Sequence, residues 1–308
     1  MKILHIGNIA GIPQILAAKQ KGEGWLSETL SFSKHPFGYS SDHFFLPKWH
    51  FNRRYLPSFK ILIKIMALIM KYDILHFHYS SLIANGIDCL LWKIMGKRIV
   101  MHYHGSDIRG KGEKLFRRRF SDVSIVSTPD LLEYSERAVW MPNPINLEEY
   151  KPVEQPNTGE GINIVHLPSA RAEKGTEYVI SAIEELKREG YNIKFTLVEN
   201  IPHQEVMSYY NQADIVVDQL LIGWYGMVTI EAMALKKPVC VYIREDLVKY
   251  LPFIPFCISS KDDIAVKLKE LIEDRELRKE LGEKGRHFVE QVHDVNLVNE
   301  KIMKLYDG

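Results

Sequence analysis

The sequence predicts an α/β protein of two Rossmann-like, doubly wound domains in tandem, facing each other across a cleft. Three observations lead there. Apolar strand-like runs alternate with helix-like stretches, the pattern of parallel βαβ units. The alternation stops at residues 141–161, MPNPINLEEYKPVEQPNTGEG, which hold four prolines and two glycines without apolar periodicity, and then restarts. The length of 308 residues suits two domains at roughly 100–200 residues each.

In the first half, KILHIGN is the opening strand and GIPQILAAKQKG a loop and helix, with Pro13 at the helix start. DILHFHY (73–79) is β-rich and leads into a helical SLIANGIDCLLWKIMG. KRIVMHYHG (97–105) and SDVSIVSTP (121–129) are strands, the second followed by a helical DLLEYSERA. Beyond the linker, the strands are GINIVHLPS, NIKFTLVEN, DIVVDQL and PVCVYI. The helices between them are KGTEYVISAIEELKREG, HQEVMSYYNQA and GMVTIEAMALKK. Residues 260–292 read as helix with breaks at Gly282 and Gly285. The expected domains are 1–148 and 149–290. Ligands of such sheets bind beyond the carboxyl ends of the strands, so residues just after strands are the first candidates.

A hydrophobic fraction of 46% and a charged fraction of 26% are ordinary for a folded soluble chain and exclude disorder and fibrous repeats. Cys89, Cys240 and Cys257 are odd in number and form no CxxC pair, which fits a reducing, cytoplasmic setting. The apolar start ends at Gly7 and reads as a strand rather than a signal peptide. The most apolar stretch, Ser58 to Asp73, is interrupted by Lys60, Lys64 and Lys71 and falls short of the ~20 residues of a membrane span. The net charge of +1 divides into +7 over residues 1–154 and −6 over residues 155–308. The basic half, with Arg53, Arg54, Arg109, Lys111, Lys114 and Arg117–Arg119, suits an anionic acceptor or peripheral contact with the inner membrane face. Aromatics are not interleaved with these charges as in a nucleic-acid module, and no nucleic acid is expected.

Four constellations carry chemistry. Arg171 and Lys174 in PSARAEKGTEY lie between a strand and a helix, where cations and helix-start amides suit a diphosphate. In GWYGMVTIEAMALKKPV, Gly226 and Met227 open a helix whose amides approach a phosphate, and Glu231 is placed to accept sugar hydroxyls. HFH (76–78) and HYHGSD (102–107) alternate histidines along strands, so each pair shares a face. His104 and Asp107 lie at a strand end, open to a ligand. GNIAGIP (7–13) brings Gly11 to a loop after the first strand, although it is not GxGxxG. The plain alternatives are solvated loop charges for Arg171 and Lys174, a surface carboxylate for Glu231 and packed core rings for the histidines. There is no GxSxG, P-loop, HExxH or CxxC pattern.

The ordered set DILHFHY, HYHGSDIR, VSTPDLLE, MPNPINLEEY, RAEKGT and GMVTIEAMALKKPV resembles the retaining GT-B fold glycosyltransferases of family four, the glycosyl transferases group one, over nearly the whole chain. The resemblance implies a nucleotide-sugar held by the C-terminal domain and a last helix, about 291–308, that returns to the N-terminal domain. It assigns Arg171 and Lys174 to the diphosphate, although Arg171 precedes Lys174 by three residues where the family has five. Gly226, Met227 and Gly11 join them as backbone donors. Glu231 matches the second glutamate of the family's E-x7-E motif, which binds ribose hydroxyls. His104, with Asp107 beside it, matches the catalytic position near the reacting sugar carbon. Gly223 stands where the first glutamate of the motif belongs, so Asp218 and Tyr225 are the substitute candidates for the donor sugar.

The implied activity is retaining transfer of a sugar from a nucleoside-diphosphate-sugar to an acceptor hydroxyl, in glycolipid, polysaccharide or glycan assembly. No metal and no other cofactor is expected, and the acceptor is lipid-linked or anionic. Three rivals remain: a GT-B epimerase or hydrolase of nucleotide-sugars, a metal-dependent hydrolase on His76, His78, His102 and His104, and a silent binding module suggested by Gly223.

Overall fold

The computed structural model describes residues 1–35, 37–45, 59–83, 85–153 and 161–307. The chain divides into two units, Met1–Pro144 with Val295–Gly308, and Ile145–Asp294. The change of unit thus falls at 144/145, and the returning segment begins at Val295.

The first unit holds a seven-stranded, all-parallel sheet in the order β3-β2-β1-β4-β5-β6-β7. Its strands are β1 Lys2–Ile6, β2 Leu26–Ser31, β3 His43–Phe44, β4 Ile74–His78, β5 Arg98–Tyr103, β6 Val123–Val126 and β7 Ala138–Trp140. The helices are α1 Ile12–Gly22, α2 Phe59–Ile69, α3 Ile87–Ile94 and α4 Leu115–Phe120. On one sheet face, Leu4, Ile6, Leu75, Phe77, Ile99 and Met101 pack with Ile65, Leu68 and Ile69 of α2 and Trp92 of α3. Ile65, Leu68 and Ile69 of α2 are therefore core. The opposite face carries Ile3, Ile74 and Val100, covered by Ile12 and Leu16 of α1 and by the last helix.

The strand β2 escapes a hydrophobic-pattern reading because LSETLS looks polar. Its polar side chains are satisfied internally: Ser27 donates to Gln20 Oε1 (2.7 Å) and Thr29 to Asp42 Oδ2 (2.9 Å). The helix expected over DLLEYSERA is a single 3₁₀ stretch, Pro129–Tyr134.

The second unit holds a five-stranded parallel sheet in the order β12-β11-β10-β8-β9. These are β8 Ile162–His166, β9 Ile193–Leu197, β10 Ile215–Val217, β11 Val239–Val241 and β12 Cys257–Ile258. Around it lie α5 Arg171–Lys174, α6 Thr176–Arg188, α7 His203–Gln212, α8 Met227–Ala234, α9 Ile264–Glu273 and α10 Arg275–Val292. The break in residues 260–292 falls at Asp274, whose Oδ1 accepts from the Leu277 amide at 2.9 Å and caps α10. Gly282 and Gly285 lie inside α10, not at breaks, where it packs on Lys236 and Met233.

The last helix, α11 Val295–Asp307, belongs to the first unit. Val298, Ile302 and Tyr306 recur at four-residue spacing, so one stripe faces the sheet. Gln20 Nε2 donates to Asn299 Oδ1 (3.0 Å), and Arg98 donates to the Leu305 carbonyl (3.0 Å). All three cysteines are free thiols. Residues 154–160 of the sequence-defined linker lie outside the described residues.

Candidate functional site

In the second unit, two strand ends bring one cation, one carboxylate and one helix start together. The loop after β8 runs into the single turn α5, which ends on Lys174. Lys174 Nζ contacts Asp218 Oδ1 at 3.0 Å, just beyond β10. Asp218 Oδ2 accepts from the Gly226 amide (2.9 Å) and the Thr229 hydroxyl (2.8 Å) at the start of α8. Asp218 is almost fully buried, whereas Lys174 keeps some exposure. Burial alone would raise the Asp218 pKa. The Lys174 charge, the Gly226 amide and the Thr229 hydroxyl outweigh it and hold the carboxyl below its usual value. The result is a fixed cation beside the first turn of α8, whose leading amides, Met227 among them, have no partner within the helix.

Three sequence expectations change here. Asp218 was a candidate for the donor sugar, but both its oxygens are committed to Lys174, Gly226 and Thr229, so it positions the cation. Tyr225 is a core residue: it is 3% exposed, its hydroxyl meets His293 Nε2 at 3.0 Å, and its ring packs on Phe256 and Phe288. Arg171 does not join Lys174. Its guanidinium grips Glu199 through Nε (2.9 and 3.1 Å) and Nη2 (2.6 Å), on the exposed surface.

Glu231 is buried on α8, one turn beyond the helix start. Its Oε1 accepts from His203 Nε2 (2.7 Å) and the Tyr150 hydroxyl (3.2 Å), and its Oε2 accepts from the Tyr210 hydroxyl (2.8 Å). A carboxylate has about four acceptor positions, so one stays available for a ligand hydroxyl. Sequence reasoning missed all three partners. His203 had a signal, because it opens a helix directly after a strand. Burial pulls the His203 pKa down, but Glu231, and more weakly Glu149, raise it above the ordinary value.

The glycine at 223 has a structural cause. Its φ is 89°, and a Cβ there would lie 2.6 Å from Arg244 Cγ. A glutamate at 223 would need a different backbone and a displaced Arg244. The loop is pinned by Gln219, fully buried, whose Oε1 accepts from the amides of Leu221 (2.9 Å), Ile222 (2.5 Å) and Gly223 (3.3 Å).

In the first unit, the His104 ring is occupied on both sides. Nδ1 lies 2.6 Å from Ser127 Oγ and Nε2 3.2 Å from His78 Nδ1. Burial pushes its pKa down to about 3, so it is neutral at neutral pH. The ring is thus unavailable to a substrate. Asp107 is likewise committed: Oδ2 accepts from the His104 amide (2.9 Å) and Oδ1 from those of Gly105 (2.8 Å) and Ile108 (3.0 Å). It shapes the loop after β5. Gly11 caps α1 with φ 72°, but the Tyr39 ring occupies the space beside it, 2.6 Å from where a Cβ would sit.

The basic surface is also narrower than the charge count implies. Arg117 is 5% exposed and donates to Ser80 Oγ (2.9 Å), whereas Arg118 and Arg119 are exposed. Arg109 pairs with the buried Asp130 at 2.8 Å. Arg53 and Arg54 lie outside the described residues. Among the described residues, no helix is long and apolar enough to cross a membrane.

Comparison with known proteins bears on the second unit most directly. Residues 189–288 match the family model of the glycosyl transferases group 1, a span that holds Glu199, His203, Asp218, Gly226 and Glu231. No curated protein sequence matches the chain. Among solved structures, sucrose-phosphate synthase from Thermosynechococcus elongatus is similar at 16% identity and TM-score 0.71, covering 100% of this chain and 98% of that one. Anabaena HepE in complex with UDP and glucose is similar at 16% identity and TM-score 0.73, covering all of both chains. An alpha-glucosyltransferase in complex with UDP and a mismatched DNA 13-mer is similar at 12% identity and TM-score 0.69, again over all of both chains. The fold is the GT-B fold, with two Rossmann-like units.

The His203–Glu231 pair yields a signed pH prediction. Because the folded pKa of His203 is raised, its stabilisation is full below the unfolded value of about 6.5 and is lost as pH rises through the folded value. Denaturant unfolding of wild type and His203→Gln across this range should show a wild-type advantage that is largest on the acid side and shrinks with rising pH. An advantage that stays constant, or grows with pH, would contradict the assignment.

Proposed function

We propose that this chain, with its glycosyl transferases group 1 segment on a GT-B fold, transfers a sugar from a nucleoside-diphosphate-sugar to an acceptor hydroxyl with retention at the anomeric carbon. The observation that carries this reading is the Lys174–Asp218–Gly226 arrangement beside the start of α8. A diphosphate leaving a glycosyl carbon develops negative charge, and a preplaced cation with helix-start amides stabilises it without reorganisation. That role needs no bound metal. Glu231 offers its remaining acceptor position to a ribose hydroxyl. The complexes of HepE and the alpha-glucosyltransferase with UDP support a uridine donor. In the transfer step, the bond from the anomeric carbon to the phosphate oxygen breaks and its electron pair stays with the diphosphate. The acceptor oxygen bonds to the same face of that carbon, and its proton passes to the departing phosphate.

Surface chemistry of the first unit supports an acceptor presented at an anionic membrane face, as in glycolipid or polysaccharide assembly. Ile87, Leu91 and Ile94 recur along α3 at 50%, 44% and 74% exposure, with Ile83 at 51% just before it. This is one exposed apolar stripe. Arg118 and Arg119 lie on the neighbouring α4. Apolar side chains beside cations suit insertion among anionic headgroups.

Two measurements test these readings. Lys174→Ala and Glu231→Gln should each weaken binding of UDP or UDP-sugars by roughly 10–100-fold, the loss expected for a charge-assisted hydrogen bond, while the far-UV spectrum stays native. Wild-type affinity in both variants contradicts the site. In sedimentation, the wild type should bind vesicles containing phosphatidylglycerol more than neutral ones, and Ile87→Glu with Leu91→Glu should abolish this. Unchanged sedimentation of the double variant contradicts the membrane reading.

A further inference from the structure

Two of the three cysteines meet at the edge of the second sheet. β12 is the edge strand beside β11, and the parallel pairing sets Cys240 of β11 directly opposite Cys257 of β12. Partners in register point to the same face, and here both pack with Ile264 and Leu268 of α9. Neighbouring strands run about 4.7–4.9 Å apart. A disulfide joins residues whose Cα atoms lie roughly 4.4–6.8 Å apart, so the two cysteines stand within bridging reach without a change of register. Both are free thiols.

The plain account of a buried cysteine is a small apolar side chain that fills space. Cys240, fully buried, fits that account, but Cys257 is only partly buried. The two thiols also polarise each other. The Cys240 thiol donates towards the Cys257 sulfur, and this contact, helped by the Lys267 charge on α9, outweighs burial and holds the Cys257 pKa below its ordinary value. The same contact, with burial, pushes Cys240 up. One sulfur is thus primed to attack while the other keeps its proton, as in an attacking and a resolving cysteine. Cys89, in the first unit, is fully buried, and burial pushes its thiol up to about 12. Among the described residues, no third metal-ligating side chain joins Cys240 and Cys257.

We propose that Cys240 and Cys257 form a reversible oxidation site, closed to a disulfide by hydrogen peroxide and reopened by a dithiol. The Cys257 thiolate attacks one peroxide oxygen, the O–O bond breaks, and the departing hydroxide takes up a proton to become water. Cys257 is then a sulfenic acid. The Cys240 sulfur attacks the Cys257 sulfur, the S–O bond breaks, and the hydroxide leaves as water with the Cys240 proton. Two electrons pass from the thiols to the peroxide. The strand spacing lies near the short end of the span a disulfide accepts, and bridges away from the commonest geometry are strained and readily reduced.

The strand β11 carries this chemistry to the neighbouring site. The Cys240 carbonyl accepts from the Asp218 amide (3.0 Å). Two residues on, the Tyr242 amide donates to the Gln219 carbonyl (2.9 Å), and Gln219 Nε2 donates to the Tyr242 carbonyl (2.6 Å). Asp218 and Gln219 therefore rest on the strand that the bridge draws towards β12. Closing the bridge loosens the Asp218 backbone and, through it, the hold on Lys174. A resulting loss of nucleotide affinity is the one step that rests on the diphosphate reading of Lys174.

The test is a thiol map of the full-length protein. Reduced protein is titrated with hydrogen peroxide, its remaining thiols are alkylated, and the unreduced digest is read by mass spectrometry. The wild type should yield a peptide pair linked through Cys240 and Cys257 that dithiothreitol removes, with Cys89 alkylated throughout. In the oxidised form the segment holding the Asp218 amide should exchange hydrogen faster, and UDP should bind more weakly by up to roughly tenfold, the weight of one hydrogen bond. Cys257→Ser should show neither change after the same treatment. A wild type whose Cys257 passes to sulfinic acid while Cys240 stays free, or that gives no linked pair before Cys89 is modified, overturns the oxidation site. Unchanged exchange around Asp218 in the bridged protein overturns the coupling to that residue. A reduced protein that does not bind UDP counts against glycosyl transfer, and the thiol map and hydrogen exchange then decide this proposal by themselves.

Discussion

The contact between Lys174 and Asp218 is the one on which the proposed chemistry depends. A buried carboxylate is costly unless it is paired and hydrogen-bonded, and Asp218 is both. Its two oxygens face different ways: one holds the ammonium that ends α5, and the other holds the backbone and hydroxyl that begin α8. Two segments far apart in sequence are thereby fixed to a common point. A diphosphate placed there meets a cation already desolvated on one side and oriented before any substrate arrives. Removing Lys174 would leave Asp218 as a buried charge without its cation, at a cost of about 3–5 kcal/mol for such pairs.

Glu231 extends the same logic along α8. Tyr150 and, from α7, His203 and Tyr210 converge on one carboxylate. The helix start and Glu231 are held by independent hydrogen-bond sets, so the spacing between the proposed phosphate site and the proposed sugar-hydroxyl site is set by one helical turn. Gly223 and Gln219 shape the loop that leads into this helix. The glycine there follows from its left-handed backbone and the packing of Arg244.

The parts of this architecture that rest on apolar periodicity were legible in the sequence. The βαβ alternation and the two units follow from runs such as DILHFHY, whereas the returning helix is what the family resemblance implies, and its stripe of Val298, Ile302 and Tyr306 shows in the structure. What escaped was decided by polar side chains that find partners far away in sequence. The strand β2 looks polar because Ser27 and Thr29 bond inside the fold. Asp218 and Asp107 look like reactive carboxylates after strands, yet both spend their oxygens on local backbone and side chains. Tyr225 reads as an exposed aromatic between glycines, but His293, sixty-eight residues away, takes its hydroxyl. His203 and Tyr210 acquire meaning only once Glu231 is seen between them. Position after a strand locates a candidate, whereas the partners its polar atoms find in the fold show what it holds in place.

A double-mutant cycle on nucleotide affinity tests the central contact most directly. UDP binding is measured by calorimetry for wild type, Lys174→Met, Asp218→Asn and the double variant. If Asp218 acts by positioning the cation, Asp218→Asn alone loses most of the affinity that Lys174→Met loses. The double variant is then scarcely weaker than Lys174→Met, a coupling within the 0.5–3 kcal/mol range of about what contacting residues show. Wild-type affinity in Asp218→Asn, with strictly additive losses, would contradict the account.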